Sequence, residues 1–488
     1  MPFVAVGHKE ARLRLEASTW GLAKKAPEIS AVKTLSRRQG AVVIGTLVLI
    51  LVGLVVMAVN ILIVLVGVAT ALYLATIINR VVIFQRSLND PDIEVVSDGE
   101  ARAVPDDDLP LYTVLVPAYR EPEIIRLLLD HLAVLDYPTR RLDVKLLLEA
   151  DDEETIAAVQ GVELGSHIQI VLVPPAPPRT KPKALNYGLT LARGELVTVF
   201  DAEDQPDPLQ LRRAAVAMAR VGPQVACLQA KLAYSNVDQN LITRWFAIEY
   251  VMWFSYFLPG LTALGAPVPL GGTSNHFRRS VLETVGAWDP HNVTEDADLG
   301  IRIQREGFGI RVLESVTLEE ANSDFVNWVK QRSRWYKGYA QTALVHLREP
   351  VALWRDLGAR GFFELLLFVG GTPLLAVLSP LFWATTAVWF VAQPHLIRAS
   401  FPAPVFYGGL ICWAFGNFAI FYLTLATCRA MKRPDLSGAA LLIPLYWVMM
   451  WIAAVKGLMQ LVATPSLWEK TTHGLHLSQT ADDEPAAA

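Results

Sequence analysis

Cysteine is scarce in this sequence: the 488 residues contain three, Cys227, Cys412 and Cys428. They lie far apart along the chain, so they form neither a disulfide framework nor a set of ligands at metal-binding spacing. A basic surplus is also absent, because the formal net charge is -4. Since a dedicated nucleic-acid-binding protein carries such a surplus, the sequence predicts no nucleic-acid partner.

Charge of either sign is low, at 18% of residues, whereas 53% of residues are hydrophobic. Soluble chains of this length are rarely so apolar. The apolar residues form long runs at 41–83, 362–392, 403–428 and 439–463. The first run is long enough for two membrane spans of about 20 residues each, with a turn at Asn60. We therefore expect an integral protein of the plasma (inner) membrane.

Basic residues flank these runs and predict their orientation. They form two clusters, before the first run and between the last two runs: Lys24, Lys25, Lys33, Arg37 and Arg38, then Arg429, Lys432 and Arg433. Both clusters should be cytoplasmic by the positive-inside rule. The predicted organisation is a cytoplasmic tail (1–39), a transmembrane hairpin (40–83), a cytoplasmic domain (84–350), transmembrane or interfacial helices (351–463) and a tail (464–488).

The central region alternates short apolar runs with helix-like segments. The runs at 111–117, 143–149, 167–173, 195–200 and 225–230 are predicted to be buried strands. This alternation predicts an α/β domain with a mostly parallel sheet. Ligands of such sheets bind beyond the carboxyl ends of the strands. The strand ends Pro117–Glu121, Glu149–Asp152 and Asp201–Asp204 are therefore candidate site segments.

Two of these strand ends are acidic. Asp201, Glu203 and Asp204 are suited to a Mg²⁺ or Mn²⁺ ion that is shared with substrate phosphates. The alternative for this segment is a helix N-terminus with a capping aspartate. The acidic residues of 149–154 are predicted to form either a second acidic cluster at the site or a solvated loop. Lys181 and Lys183 could balance a diphosphate or be ordinary surface lysines.

Two later segments carry further candidate groups. Asp296 and Asp298 lie in the first turn of a predicted amphipathic helix, where the helix dipole stabilises negatively charged side chains. Asp296 could also act as a general base. In QRSRW, Gln331, Arg334 and Trp335 lie on one helical face. An arginine and an amide suit a diphosphate, and an indole suits a sugar ring. The alternative is a basic anchor on lipid headgroups.

Seven segments occur in one order: VPAYRE (116–121), EADD (149–152), KPKALN (181–186), DAED (201–204), GGTSNHFRR (271–279), TED (294–296) and QRSRW (331–335). This set resembles the processive, membrane-embedded members of glycosyltransferase family 2, such as cellulose, hyaluronan, chitin and poly-N-acetylglucosamine synthases. The resemblance extends over about residues 40–475. It implies a GT-A-type, Rossmann-like cytoplasmic domain inserted between N- and C-terminal transmembrane helices. It also implies an inverting hexosyltransferase that polymerises a UDP-sugar into a β-linked polysaccharide and extrudes it.

The resemblance also implies roles for individual residues. The donor would be bound by Tyr119, Glu121, Asp151, Asp152, Lys183 and Asn186. Asp201 would hold Mg²⁺ or Mn²⁺ together with Glu203 or Asp204. Asp296, beside Glu295, would be the catalytic base. The diphosphate and acceptor would be lined by Gln331, Arg334, Trp335 and His276.

The expected partners are the UDP-sugar, the growing polysaccharide, the lipid bilayer and accessory export proteins. SLWEKTTHG (466–474) resembles a gating loop, so Trp468, Thr471 and His473 are predicted to close over the donor; the alternative is a disordered tail. Two rival functions remain open. One is a non-processive glycosyltransferase that makes a glycolipid, and the other is a non-catalytic membrane protein that conducts polysaccharide.

Overall fold

The computed structural model describes residues 3–4, 6–392 and 394–469. Within these residues, nine strands form one sheet. The strands are β1 (Ile93–Glu94), β2 (Tyr112–Ala118), β3 (Leu142–Glu149), β4 (Ile168–Val173), β5 (Leu196–Val199), β6 (Gln205–Pro206), β7 (Val225–Tyr234), β8 (Asn275–Arg278) and β9 (Gly309–Glu319).

The strand order is β1-β9-β7-β8-β5-β2-β3-β4, and β6 pairs with β9. The pairings of β1 with β9, β9 with β7, β5 with β2, β2 with β3, and β3 with β4 are parallel. Strand β8 is antiparallel to both of its neighbours. The sheet is thus mixed but mostly parallel, and the five predicted strands are confirmed. Strand β7 continues four residues beyond its predicted end.

Nineteen α-helices are present in the described residues. The first nine are α1 (His8–Lys25), α2 (Arg37–Asn89), α3 (Asp98–Ala103), α4 (Ile125–Ala133), α5 (Glu153–Gln160), α6 (Lys181–Leu189), α7 (Gln210–Val221), α8 (Leu241–Met252) and α9 (Leu258–Ala263). The others are α10 (Arg279–Thr284), α11 (Glu295–Arg305), α12 (Phe325–His346), α13 (Pro350–Glu364), α14 (Gly371–Val391), α15 (His395–Ser400), α16 (Ala403–Ile411), α17 (Asn417–Ala430), α18 (Ser437–Leu441) and α19 (Ile443–Ala463).

Two hydrophobic clusters cover the two faces of the sheet. Side chains alternate along a strand, so Leu115 and Leu147 belong to one cluster, whereas Val114 and Leu146 belong to the other. The first cluster also includes Ile83, from the last turns of α2. The end of this long apolar helix is therefore part of the core of the sheet domain.

Four helical stretches are long and apolar enough to cross a membrane, judged by length and composition: Arg37–Asn89, Pro350–Val391, Ala403–Ala430 and Ile443–Ala463. In the first, Met57 leaves the helical conformation, with φ of -145° and ψ of 57°. The side chain of Ile61 lies against Gly53, although eight residues of continuous helix would separate them by about 12 Å. The chain therefore bends at Met57, three residues before the turn expected at Asn60. Gly53 has no side chain, so the side chain of Ile61 can pack against it across the bend.

The N-terminal segment before α2 is docked onto the sheet domain. The side-chain amide of Asn186 donates to Ser18 O at 3.0 Å, and the Ala31 N–H donates to Asp289 Oδ2 at 2.5 Å. Arg348 donates to the carbonyl oxygens of Pro27, Glu28 and Ser30. Residues expected only as a tail therefore make specific contacts with the folded domain.

Helices α11 and α12 position the candidate catalytic segments. Gly338 of α12 lies so close to Thr294 that a Cβ atom there would be 2.3 Å from the threonine side chain. On its other side α12 packs against α19, where a Cβ atom at Gly457 would be 2.5 Å from Ser333 O. Two glycines therefore fix the QRSRW helix between the TED segment and the last apolar helix.

Candidate active site

A cavity of about 610 Å³ opens at the carboxyl ends of β2, β3, β5 and β9. One part is lined by polar side chains of the sheet domain: Tyr119, Glu121, Glu149, Lys181, Asp201, Glu203, Glu295, Asp296, Glu319, Gln331 and Arg334. The cavity continues between the apolar helices, where it is lined by Tyr73, Ile77, Arg80, Phe257, Phe368, Thr372, Leu375, Ser379, Asn417, Ile420 and Met450, among others. The acidic strand ends and the apolar helices thus share one cavity.

The acidic loop after β5 divides into a lining part and a supporting part. Asp201 and Glu203 line the cavity, and Asp201 is ion-paired with Lys181. Asp204 is buried behind them, where its Oδ2 accepts from the Asp201 N–H at 2.7 Å and from the Thr273 hydroxyl. The second carboxylate that faces the cavity is therefore Glu203, and Asp204 shapes the loop.

Several acidic side chains lie close together around this loop. Burial and the neighbouring Asp201 carboxylate raise the pKa of Asp204 well above its usual range. Burial, Asp201 and Glu203 likewise raise the pKa of Glu319, at the end of β9, to about 8. Burial alone would lower the pKa of Lys181, but Asp201 and Glu295 raise it above its ordinary value. The cluster thus holds several acids and favours a bound cation.

The TED segment places two carboxyl groups in the cavity. Asp296 Oδ1 accepts from the Ala297 N–H at 2.8 Å, and its other oxygen lies 3.3 Å from the position of a Cβ atom at Gly272. Burial raises the pKa of Asp296. Burial and the adjacent Asp296 carboxylate raise the pKa of Glu295 to about 8. Glu295 is therefore mainly neutral at pH 7, whereas the Ala297 N–H and Lys181 oppose the effect of burial on Asp296.

Gln331, Arg334 and Trp335 all line the cavity. Burial lowers the pKa of Arg334, and the Glu295 and Asp296 carboxylates oppose this effect. Gln331 Oε1 accepts from the Asn322 side chain at 2.8 Å, which leaves the amide NH₂ end for other partners. The QRSRW face thus brings a guanidinium to the acids of the TED segment.

Arg332 of the same motif serves a different purpose. Its guanidinium donates to both oxygens of Glu249, at 2.9 and 2.5 Å, and to Tyr446 Oη at 3.1 Å. Tyr446 in turn donates to Glu249 at 2.6 Å. This network connects α8, α12 and α19 and also lines the cavity, so Arg332 holds the helices together while Arg334 acts on the acids of the TED segment.

The segment after α19 returns to the site. Lys337 Nζ donates to Leu467 O at 2.5 Å, and the Trp468 ring lies 4.5 Å from Arg334 Cζ. Trp468 lines the cavity. The other two residues of the expected gating loop, Thr471 and His473, lie outside the described residues.

The predicted donor residues fall into two groups. Tyr119 and Glu121 line the cavity, on a loop in which Arg120 has φ of 54°. Asp152 supports this loop, because its carboxylate accepts from the Arg120 N–H at 2.5 Å and caps α5 at Thr155. Asp151 is ion-paired with Arg179 at 2.7 Å.

Three further predicted site residues do not line the cavity. Lys183 is fully buried and ion-paired with Glu149 at 2.8 Å. Asn186 donates to the Ser18 and Trp288 carbonyl oxygens. His276 is fully buried in β8, with Nδ1 2.6 Å from the Tyr112 hydroxyl, and burial lowers its pKa to about 3. In this geometry these residues position the fold around the site.

Several cavity residues are not among the predicted site residues, and Glu319, Gly272 and Arg80 are three of them. Glu319 ends β9, a strand that was not predicted; the apolar-polar alternation of VLESVTLE was the available signal. Gly272 lies where a side chain would contact Asp296 and Lys181. Arg80 is in an apolar run, and an arginine in such a run was itself a signal.

Residues 110–338 match the family model described as Glycosyltransferase like family 2. This segment is therefore similar to glycosyltransferases of family 2. It accounts for just under half of the chain, and its mixed sheet has the GT-A-like form that the resemblance implied.

Several curated proteins are similar over this region. The chain is 28% identical over 264 residues to the probable glycosyltransferase YdaM of Bacillus subtilis, covering 54% of this chain and 62% of that protein. It is 28% identical over 267 residues to the beta-monoglucosyldiacylglycerol synthase of Trichormus variabilis, covering 54% and 55%. It is 27% identical over 268 residues to the probable glucomannan 4-beta-mannosyltransferase 1 of Arabidopsis thaliana, covering 51% and 47%. The chain thus spans about half to just under two thirds of the length of these relatives.

Among solved structures, the mannosyltransferase PcManGT from Pyrobaculum calidifontis, in complex with GDP-Man and Mn²⁺, is 20% identical. The TM-score is 0.48, and the match covers 82% of this chain and 99% of that one.

Proposed function

We propose that this chain is a membrane-bound inverting hexosyltransferase that passes a hexose from a nucleotide sugar to a hydroxyl group of a membrane-delivered acceptor. One observation carries the proposal: a single cavity joins Asp201, Glu203, Asp296 and Arg334 to the apolar helices. The donor enters from the sheet side and the acceptor from the helix side. From the family resemblance we expect a UDP-linked donor, with Tyr119 and Glu121 at the nucleotide.

Asp296 takes the proton from the acceptor hydroxyl. The hydroxyl oxygen attacks the anomeric carbon from the side opposite the diphosphate, and the bond from that carbon to the diphosphate oxygen breaks. Lys181 and Arg334 stabilise the negative charge that develops on the departing diphosphate. The raised pKa of Asp296 improves it as a base near neutral pH, because catalytic pKa values near the working pH transfer protons most effectively. Neutral Glu295 adds no second charge beside it.

Asp201 and Glu203 are the residues that would hold a divalent cation. The described residues contain no group of three histidine, cysteine, aspartate or glutamate side chains already arranged around a metal position. Two carboxylates together with donor phosphates are nevertheless the ligands that Mg²⁺ commonly has. The raised pKa values of Asp204 and Glu319, to which the Asp201 and Glu203 carboxylates contribute, fit such an ion. When bound, it would neutralise charge on the diphosphate.

Two products fit different parts of the cavity. A polysaccharide, our prediction from the QRSRW resemblance, is supported by the Trp335 indole, which offers a flat apolar surface for a sugar ring. A glycolipid is supported by apolar lining residues such as Ile77, Leu375 and Ile420, which suit a hydrocarbon chain. The non-catalytic alternative leaves the acids of the cavity unexplained.

An incubation of membranes containing this chain with radiolabelled UDP-hexoses and GDP-mannose tests the proposal. Label in a solvent-insoluble polymer identifies a polysaccharide synthase, and label in the lipid extract identifies a glycolipid synthase. A parallel incubation with EDTA should suppress either product. Absence of transfer from every donor, in membranes where the chain is shown to be folded, would contradict the proposal.

A further inference from the structure

Arg80 is a positively charged side chain on an apolar helix, and it lines the helix-bounded part of the cavity. It forms no ion pair within the described residues, and its Nε has no hydrogen-bond partner there. Its guanidinium donates to the Thr372 hydroxyl at 3.3 Å and lies 5.9 Å from the centres of the Phe257 and Phe368 rings. These contacts are too weak to replace the hydration that a cation loses in such surroundings.

The carboxylate that acts on Arg80 through space is Glu249. Both oxygens of Glu249 are already bound by Arg332 and one also accepts from Tyr446. By contrast, Asn79, the neighbour of Arg80, has a direct partner in Glu364 at 2.7 Å. Arg80 therefore remains an uncompensated cation that faces a cavity, and ionisable residues of this kind within apolar helices commonly mark ligand sites.

The position of Arg80 along α2 indicates the kind of anion. Ile83, one turn later, belongs to the core of the sheet domain. The helix ends at Asn89, nine residues after Arg80, or about 14 Å along the axis. Arg80 thus lies where the apolar helices meet the sheet domain, which is the level at which lipid phosphates lie if the preceding helix is in a bilayer.

We propose that Arg80 binds the phosphate of a lipid, and that this phosphate-bearing lipid is the acceptor. The guanidinium pairs with phosphate oxygens, for which its fork of N–H donors is well suited. The hydrocarbon chains lie along Ile77 and Phe368, and the headgroup reaches toward Asp296 through the shared cavity. This inference rests on the proposed function and names the acceptor class of the same site.

Photo-crosslinking tests the binding without any nucleotide sugar. The purified full-length chain, in a detergent that contains neither phosphate nor sugar, is exposed to diazirine-tailed phosphatidylglycerol, polyprenyl phosphate or diacylglycerol. Wild type should capture a phosphate-bearing probe in preference to diacylglycerol. Arg80→Gln should weaken that capture by roughly 10- to 100-fold, as expected for a lost hydrogen bond to a charged group, with diacylglycerol capture unchanged. Arg80→Lys should retain most of the preference.

Arg86→Gln is the matched control, because Arg86 lies on the same helix but is exposed and paired with Asp90 at 2.9 Å. It should capture lipids as wild type does. The two phosphate-bearing probes separate a phospholipid source from a polyprenyl source. A preference for phosphatidylglycerol, whose headgroup carries hydroxyl groups, supports the proposal. A preference for polyprenyl phosphate, which has no hydroxyl for Asp296 to deprotonate, would overturn the assignment of the bound lipid as the acceptor.

Equal capture of phosphate-bearing probes by wild type and Arg80→Gln would overturn the proposal, as would equal capture of diacylglycerol and phosphate-bearing lipids by wild type. Diacylglycerol capture reports whether Arg80→Gln is folded. If this variant is not folded, Arg80→Lys decides: a retained preference for phosphate-bearing lipids supports the proposal, and a lost preference contradicts it. The assay contains no nucleotide sugar, so its result does not depend on hexosyl transfer. The proposed function and the lipid-binding proposal can therefore fail independently of each other.

Discussion

Asp296 and Glu295 are adjacent acids in one cavity, and their environments separate their roles. The backbone N–H of Ala297 stabilises the Asp296 carboxylate, whereas Glu295 has a pKa of about 8. Burial raises the pKa of Asp296 as well, but the Ala297 N–H and Lys181 oppose this effect and favour its ionised form. The proposed base is therefore Asp296.

Asp296→Asn keeps the shape of the side chain and removes its basicity. We expect kcat to fall by roughly 10²- to 10⁴-fold, the usual contribution of a general base. The nucleotide dissociation constant, measured by calorimetry, should change little. Glu306→Gln, an exposed acid at the end of the same helix, is the control. A variant with activity within threefold of wild type would remove Asp296 from the mechanism.

Glu295 should make the stability of the ligand-free, metal-free protein depend on pH. Its pKa is about 8 in the folded protein and close to 4.5 when exposed, so the folded state binds the proton more tightly. The stabilisation is complete below the lower value and is lost as the pH rises through the higher one. The Tm of wild type should therefore fall more steeply between pH 6 and 9 than the Tm of Glu295→Gln. Parallel curves for the two proteins would show that Glu295 is ionised throughout.

At the level of secondary structure, close helix packing holds the site together. The QRSRW helix α12 touches the TED segment at Gly338 and touches α19 at Gly457. A glycine at each contact lets the backbones approach more closely than any side chain would permit. The distance between Arg334 and Asp296 thus depends on residues that do not line the cavity.

Gly338→Ala should push α12 away from Thr294, because the new methyl group would lie 2.3 Å from the threonine side chain. Overpacking of this kind costs about 1–3 kcal/mol. We expect a lower midpoint of denaturant unfolding and a lower kcat. Gly438→Ala is the control, since nothing lies within 4 Å of the position of its Cβ atom. Unchanged stability and activity in Gly338→Ala would contradict this packing.

The strands that are buried on both faces were predictable, because β2, β3 and β5 are short runs rich in valine and leucine. Strand β9 was missed because it alternates polar and apolar residues, and β8 because it has only four residues. Which side chains reach the cavity was less predictable. Lys181 and Lys183 are two residues apart and therefore face different sides of α6. The first pairs with Asp201 and the second with Glu149.

On the scale of the whole molecule, the C-terminal segment constrains the membrane topology. Trp468 and Leu467 contact Arg334 and Lys337 of the sheet domain. If the chain between α12 and this segment crosses a membrane, it therefore does so an even number of times. We propose that the stretches ending at Val391 and Ala430 cross, and that α19 lies along the domain beside α12.

Cysteine labelling tests this topology, and the three native cysteines are buried, which lowers the background. His395→Cys, between the two proposed spans, should react with an impermeant thiol reagent added to intact cells. Ser466→Cys should react only after the cells are opened. Ser478→Cys, in the tail beyond the described residues, should behave as Ser466→Cys does. Labelling of Ser466→Cys in intact cells would place the C-terminal segment on the wrong side for a contact with Arg334.

The most direct measurement of the central proposal is the anomeric configuration of the product that the purified chain makes from an isotopically labelled, α-linked nucleotide hexose. Attack opposite the diphosphate, with Asp296 as the base, predicts transfer of the hexose and a β-linkage in the NMR spectrum of the product. An α-linked product, or no transfer from any nucleotide hexose by a folded protein in the presence of lipid acceptors and Mg²⁺ or Mn²⁺, would contradict it.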